Sequence, residues 1–334
     1  METSAVFRTR TGSLRRITLK QFRRSHTSRI VVSALLLLQV TVSRPAHAQS
    51  GEIEILAVTS GASFTQGIPN SGSIASIFCT GLQVDGIVAA QGLPLPRILG
   101  GIRVTVGGAE APIFAVANLD GYQQINIQVP LETRTVHVPE WGLPAADVVV
   151  EQEGRRGERR WWWGVYTWPP FKSPGEFFRI EGTNWGIFQH AADYSLVTPE
   201  NPARPGETLI TYLTGMELTN PVVPTGEPAP EEPPAAIAHT APDPRCPQCG
   251  YNDYYLKFDL DYETGDKSFD GNKDARAIFV RLTPRLVGVN QINFTLPSVL
   301  PSGTRNVTLV RSYKAPMFGL ASVEVSTPVQ LAVE

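Results

Sequence analysis

From residue 52 onward, apolar and polar positions alternate in short runs broken by glycine and proline. Glu52-Ile-Glu-Ile-Leu-Ala-Val58 alternates, and so does Ile102-Arg-Val-Thr-Val106. Gly107-Gly108 then reads as a hairpin signal, with Ala111-Pro-Ile-Phe-Ala-Val116 as the returning chain. Across Tyr122–Val129, Ile125, Ile127 and Val129 fall on one face and Gln124, Asn126 and Gln128 on the other. Pro130 ends that run because it has no ladder donor. Asp147–Gln152, Gly154 and Arg159–Trp168 predict a further hairpin with a basic turn. No stretch sustains a helical period, so the pattern predicts an all-β chain of antiparallel strands.

Two of these runs occur twice. Gly72-Ser-Ile-Ala-Ser-Ile-Phe-Cys-Thr-Gly81 is followed by Gln124-Ile-Asn-Ile-Gln-Val-Pro130, and Gly206-Glu-Thr-Leu-Ile-Thr-Tyr-Leu-Thr-Gly215 by Gln291-Ile-Asn-Phe-Thr-Leu-Pro297. Such self-similarity predicts a duplicated β-unit, over residues 51–170 and 171–334. The second copy carries 33 additional residues between its two runs, falling at about 226–274. Pro221–Pro247 holds nine prolines and excludes regular sheet there. The acidic stretch after Asp259 reads as a loop insertion hung outside the sandwich.

The N-terminus changes the picture of where the chain acts. Arg8, Arg10, Arg15, Arg16, Lys20, Arg23, Arg24 and Arg29 precede an apolar run from Ile30 to Val42, and Ala46-His-Ala48 follows. A charged region, a short apolar core and a small-residue site predict a signal peptide over residues 1–48. The 13-residue run is short of the ~20 residues that span a bilayer as a helix. Removing the leader's nine basic residues and one acidic residue from 29 and 31 leaves a net charge of −10. An acidic mature chain is a poor match for nucleic acid or anionic lipid, whose phosphates need clustered Lys and Arg.

The motifs together resemble a known family. The glycine-opened strand ending in Thr-Gly, the Gly100-Gly101 to Gly107-Gly108 hairpin and the Tyr122-Gln-Gln-Ile-Asn strand closed by Pro130 look like the uncharacterised C-terminal domain family of secreted acidobacterial-type proteins. Pro199-Glu-Asn-Pro-Ala-Arg-Pro-Gly-Glu207 resembles its linker. The units are also similar, more loosely, to IPT/TIG immunoglobulin-like domains. The resemblance implies tandem immunoglobulin-like sandwiches on an exported protein, and implies no activity. The insertion and the tryptophan run depart from it.

Candidate chemistry is sparse. No Gly-x-Ser-x-Gly elbow occurs, and the mature histidines, His137, His190 and His239, are far apart in sequence. Cys246-Pro-Gln-Cys249 reads as a local disulfide, as half of a zinc knuckle, or as free thiols. Asp259, Asp261, Glu263, Asp266, Asp270, Asn272 and Asp274 read as a solvated acidic loop, and no cofactor is expected; because they place hard oxygen ligands in one stretch, Ca²⁺ is the alternative to test, ahead of Zn²⁺. Trp161, Trp162 and Trp163, with Tyr166 and Trp168, form the candidate ligand surface. Strand alternation puts Trp161 and Trp163 on one side and Trp162, Tyr166 and Trp168 on the other. One set then fills the core and the other packs between units or stacks on a sugar. Gln124, Asn126, Gln291 and Asn293 recur in both units, which predicts that they tie neighbouring loops in place.

The reading that follows is an exported, non-enzymatic protein serving as an adhesion, scaffold or binding module at the cell surface or outside the cell. Its expected partner is polysaccharide or an envelope protein, with no nucleic acid and no membrane span in the mature chain. The alternatives are a metal-dependent or hydrolytic enzyme built on residues 240–275, and a purely structural spacer.

Overall fold

The computed structural model describes residues 52–119, 121–166, 172–216, 218–237, 251–315 and 319–334, with two short strands nearer the N-terminus. The chain divides into two units, Met1–Leu37 and Leu38–Glu334. In the first, β1 (Ser4–Arg8) pairs antiparallel with β2 (Leu14–Thr18). The apolar run and cleavage site of the expected leader lie outside the described residues. The described residues contain no helix, and every pairing between named strands is antiparallel, so the fold is all-β.

The first half of the second unit runs β3 (Glu54–Ser60), β4 (Ile74–Thr80), β5 (Gly86–Ala89), β6 (Ile98–Leu99), β7 (Ile102–Val106), β8 (Ala109–Glu110), β9 (Ile113–Leu119), β10 (Tyr122–Gln128), β11 (Val136–Val138), β12 (Leu143–Gln152) and β13 (Arg155–Trp162). One sheet has the order β3-β4-β10-β9-β5; the other is β11-β12-β7-β6, with β13 on β12 and β8 on β7. The period-2 pattern turns Ile55, Ile77, Ile125 and Ile127 of the first sheet and Val104, Val106, Val148 and Val150 of the second into one buried core.

Gly107 and Gly108 both have positive φ, as a two-residue turn joining β7 to β8 requires. The returning strand differs from the sequence expectation. It stops at Glu110, because Pro112 cannot donate to a ladder, and β9 pairs instead with β10 and β5 in the opposite sheet.

The second half runs β14 (Glu176–Phe177), β15 (Phe188–His190), β16 (Thr208–Thr214), β17 (Thr219–Asn220), β18 (Ala236–Ile237), β19 (Tyr251–Phe258), β20 (Ala275–Leu282), β21 (Asn290–Thr295), β22 (Gly303–Ala315), β23 (Gly319–Val325) and β24 (Val329–Val333). The main strand order is β14-β16-β21-β20-β19-β22-β23. Phe177, Phe188, Leu209, Leu213, Ile292, Phe294 and Leu331 belong to a second core.

The two recurring motif pairs share one register. Gln124 stands opposite Phe78 and Asn126 opposite Ser76, while Gln291 stands opposite Tyr212 and Asn293 opposite Ile210. In each, the glutamine Nε2 donates to the asparagine Oδ1 two residues on, at 2.6 and 2.8 Å. Side chains at i and i+2 are neighbours on one strand face, and so they satisfy each other rather than a loop. Loops are gripped by other glutamines: Gln123 exchanges both amide bonds with the Leu82 backbone, and Gln152 does the same with Gln83.

The insertion also departs from expectation: within the proline-rich stretch, Ala236–Ile237 pairs as β18 with β17 and β20, at a short run that holds no proline. Tyr251–Phe258 enters the sheet as β19, between β20 and β22, rather than hanging outside it. Residues after Phe258 fold back, and Leu260, Tyr262 and Phe269 pack on Tyr255, Val310 and Val325. Buried apolar surface explains this: the acidic residues are interleaved with large apolar ones that leave water when the loop closes on the sheet.

Between the halves runs a joint of backbone and side-chain bonds. Ile74 N donates to Thr214 Oγ1 at 2.8 Å, and Thr214 Oγ1 donates to Gly288 O at 2.7 Å. Asn70 Nδ2 donates to Gly215 O, and Gly226 N to Gln128 Oε1. Leu131 N donates to Thr225 Oγ1, whose own proton goes to Glu132. Gly288 has φ +68°, and a Cβ there would lie 2.8 Å from Gly72 O, so the close approach needs glycine.

Candidate functional site

The tryptophan run closes β13. Ala146 stands opposite Trp161 and Ala145 opposite Trp162. Trp161 points into the core and is 4% exposed. Its Nε1 is buried without a hydrogen-bond partner. The Arg159 guanidinium sits 4.6 Å from its ring centre. Trp162 stacks on Trp161 with ring centres 5.0 Å apart and planes inclined by 27°.

Trp163 packs against the same core as Trp161. The strand ends at Trp162, because Pro144, next in register, has no N–H to return the bond; Trp163 still donates its N–H to Pro144 O and bridges Ile68. Trp162 and Trp163 are both half-buried against the core, and Tyr166 is half-buried beyond them. Trp168 lies outside the described residues.

Trp162 and Tyr166 line an open cleft of about 540 Å³ with Thr65, Gln66 and Leu143. Gly67 makes it geometrically feasible: its φ is +123°, and a Cβ would meet Gly164 O at 2.2 Å and Trp162 Nε1 at 2.7 Å. Sequence reasoning missed Thr65, Gln66 and Leu143, because none belongs to a repeat or an alternating face. Thr65 and Gln66 meet the aromatics through the pairing of the Gln66–Ile68 turn with the end of β13, and Leu143 meets them through the β12–β13 ladder.

Past Tyr166, the chain is tied to the second half. Val325 N donates to Lys172 O, and Thr327 donates through both its N–H and its hydroxyl to Glu176. Lys172 Nζ lies 3.7 Å from Glu324 Oε1, and Arg311 Nη2 lies 2.8 Å from the same atom. Glu324 Oε2 is buried with no partner. Burial raises the Glu324 carboxyl above its ordinary range, outweighing the pull of Arg311 and Lys172. A carboxyl raised on folding contributes stability that is present below its unfolded pKa, about 4.3, and is lost as pH rises through the folded value. Glu324→Gln should therefore flatten the part of the Tm profile that falls as pH rises above that point. Thermal melts of both proteins from pH 4 to 8 check it, and parallel profiles would refute it.

The seven candidate calcium ligands are placed apart in function. Asp259 pairs with Arg305 at 3.0 Å and accepts Asn306 N. Asp261 closes a turn by accepting Glu263 N and Thr264 N, and Asp266 does so with Ser268 N. Asp270 accepts Asn272 N. Glu263 and Asn272 have exposed side chains. Asp274 is buried and accepts Lys257 Nζ at 2.6 Å. Local hydrogen bonds hold Asp261 and Asp266 below the usual carboxylate range. Among the described residues, no three His, Cys, Asp or Glu side chains converge as metal ligands would.

Cys246, Cys249 and His239 lie outside the described residues. Cys79 is a buried free thiol in the first core, its pKa pushed up to about 12 by desolvation. His190 Nδ1 lies 3.0 Å from Glu207 Oε1, and His137 is exposed on β11. No helix among the described residues is long and apolar enough to cross a membrane. No family model matches the chain, and no curated protein matches it in sequence.

Proposed function

We propose that the chain is an exported, non-enzymatic protein of two tandem immunoglobulin-like sandwiches, residues 51–170 and 171–334, held together as a rigid scaffold and binding module at the cell surface or outside the cell. The observation that carries this reading is the joint. The second recurring motif ends in Thr214-Gly215, and it is these residues that receive Ile74 and Asn70 from the start of the first. A loosely linked pair would have solvent between such groups. Here the backbone donors of one half are satisfied by side chains of the other, which fixes their relative orientation. The separate cores and the shared motif register support a duplicated unit. Export rests on the charged leader, its apolar run and Ala46-His-Ala48.

Thr214→Val tests the rigid pair. It removes the acceptor for Ile74 N and the donor to Gly288 O, and leaving such buried groups unmade costs about 1–3 kcal/mol. The variant should unfold in two resolved steps and show a larger radius of gyration by small-angle scattering. Wild-type scattering with one wild-type transition would sink the rigid-pair reading. N-terminal sequencing of material recovered outside expressing cells tests export; a chain starting at Met1 and retained inside would sink that part.

A further inference from the structure

We propose that the cleft formed by Thr65, Gln66, Leu143, Trp162 and Tyr166 binds a neutral polysaccharide, with one sugar ring stacked on the Trp162 indole. The inference rests on the binding-module reading and names its site and ligand class.

The cleft has the size of a ligand site: about 540 Å³ against a usual range of roughly 300–1,000 Å³. Its walls are of two kinds. Trp162, Tyr166 and Leu143 offer apolar faces, and Thr65 and Gln66 offer polar groups at the side. Thr65 Oγ1 accepts the Ser63 hydroxyl at 3.0 Å, which leaves its own proton to donate outward. Gln66 is exposed and supplies both an amide donor and a carbonyl acceptor.

A pyranose ring matches this division. One face carries C–H groups, whose positive edge is drawn to the negative face of an aromatic ring, while its rim carries hydroxyls. Among the described residues, no charged side chain lines the cleft, so the ligand that fits is neutral. The open form suits a point along a polymer better than a lipid tail, which needs enclosure.

The stacking ring is also fixed before any ligand arrives. Trp162 lies on Trp161, which the core immobilises, and its Nε1 edge rests close to the Gly67 backbone. Ordering a free side chain costs binding energy, and a ring already held avoids that cost.

The test measures quenching of tryptophan fluorescence, and calorimetric binding, with cellohexaose, xylohexaose and mannohexaose as neutral probes and an oligogalacturonide as the anionic one. At least one neutral probe should bind the wild-type chain. Trp162→Ala should weaken it by about tenfold or more, the equivalent of about 1.4 kcal/mol. Gln66→Ala, on an exposed turn, should weaken it without changing the melt, and serves if Trp162→Ala fails to fold. The proposal is overturned if no neutral probe binds at millimolar concentration, if only the anionic probe binds, or if binding survives both substitutions. The rigid-pair reading is judged by scattering and melts of Thr214→Val, with no sugar present, so the two can fail separately.

Discussion

Replacing Trp161 by alanine should cost about 3–5 kcal/mol of folding stability, the usual range for emptying a large aromatic site in a core. The ring belongs to the buried core of the first half, which also holds Ile68, Val104 and Val148, and Ala146 stands opposite it. Its loss also removes the guanidinium contact from Arg159 and the surface on which Trp162 rests. Phenylalanine should be tolerated far better. It keeps most of the apolar volume and deletes the indole N–H that is buried without a partner, and removing an unmade donor carries little penalty. Urea unfolding of Trp161→Ala and Trp161→Phe measures both. A near-neutral alanine variant would mean that Trp161 is not a core residue and would return it to the ligand surface. Weakened sugar binding in a still-folded Trp161→Ala would follow from the loosened Trp162, not from lost contact.

The second large effect is expected at Asp274. Its Oδ2 accepts Lys257 Nζ at 2.6 Å and Asp270 N at 2.8 Å, and Lys257 Nζ also donates to Ser268 O. Both charged ends are buried, with side chains 10% and 4% exposed. Asp274→Ala strands the ammonium inside the protein, and breaking one side of a buried pair costs about 3–5 kcal/mol. Lys257→Met should do similar damage by stranding the carboxylate. The double variant Lys257→Met with Asp274→Leu should recover most of the loss, since an apolar pair of similar volume can replace a buried ion pair. Chemical denaturation of the three variants gives the cycle; a double variant no better than the singles would refute the account. Asp261→Asn and Asp266→Asn, at exposed turn caps, should leave the melt nearly unmoved because solvent screens them. Running the same melts with millimolar Ca²⁺ and with chelator tests calcium at this stretch directly.

Much of the fold was legible because strand periodicity is a local property. Ile125, Ile127 and Val129 are buried as their alternation requires, and Gly107-Gly108 makes the turn its dipeptide announces. Tyr251–Phe258 was not legible. It is apolar and polar in an order that a loop could also carry, and its burial comes from β22 on one side and β20 on the other, both distant in sequence. The acidic run was read by charge alone, although Leu260, Tyr262 and Phe269 within it supply the contacts that seat it.

The candidate site divides the same way. An unusual cluster of aromatic rings is visible in composition, and Trp162 and Tyr166 do line the cleft. Which ring is core and which is open depends on how β13 ends, where the proline at 144 halts the ladder and Trp163 bridges to Ile68. Thr65, Gln66 and Leu143 carry no signal of their own.

By itself, then, the order of residues determined the all-β class, the main strands and turns, and the recurrence of one motif pair, because each depends on neighbours within a few positions. Only the tertiary structure decided that the insertion supplies a strand, that one of the six acidic side chains in the stretch is buried against a lysine, and that Thr214 clasps Ile74 across the joint. Those outcomes arise between segments 17 to 140 residues apart, where long-range packing and the need to satisfy buried polar groups select the partner.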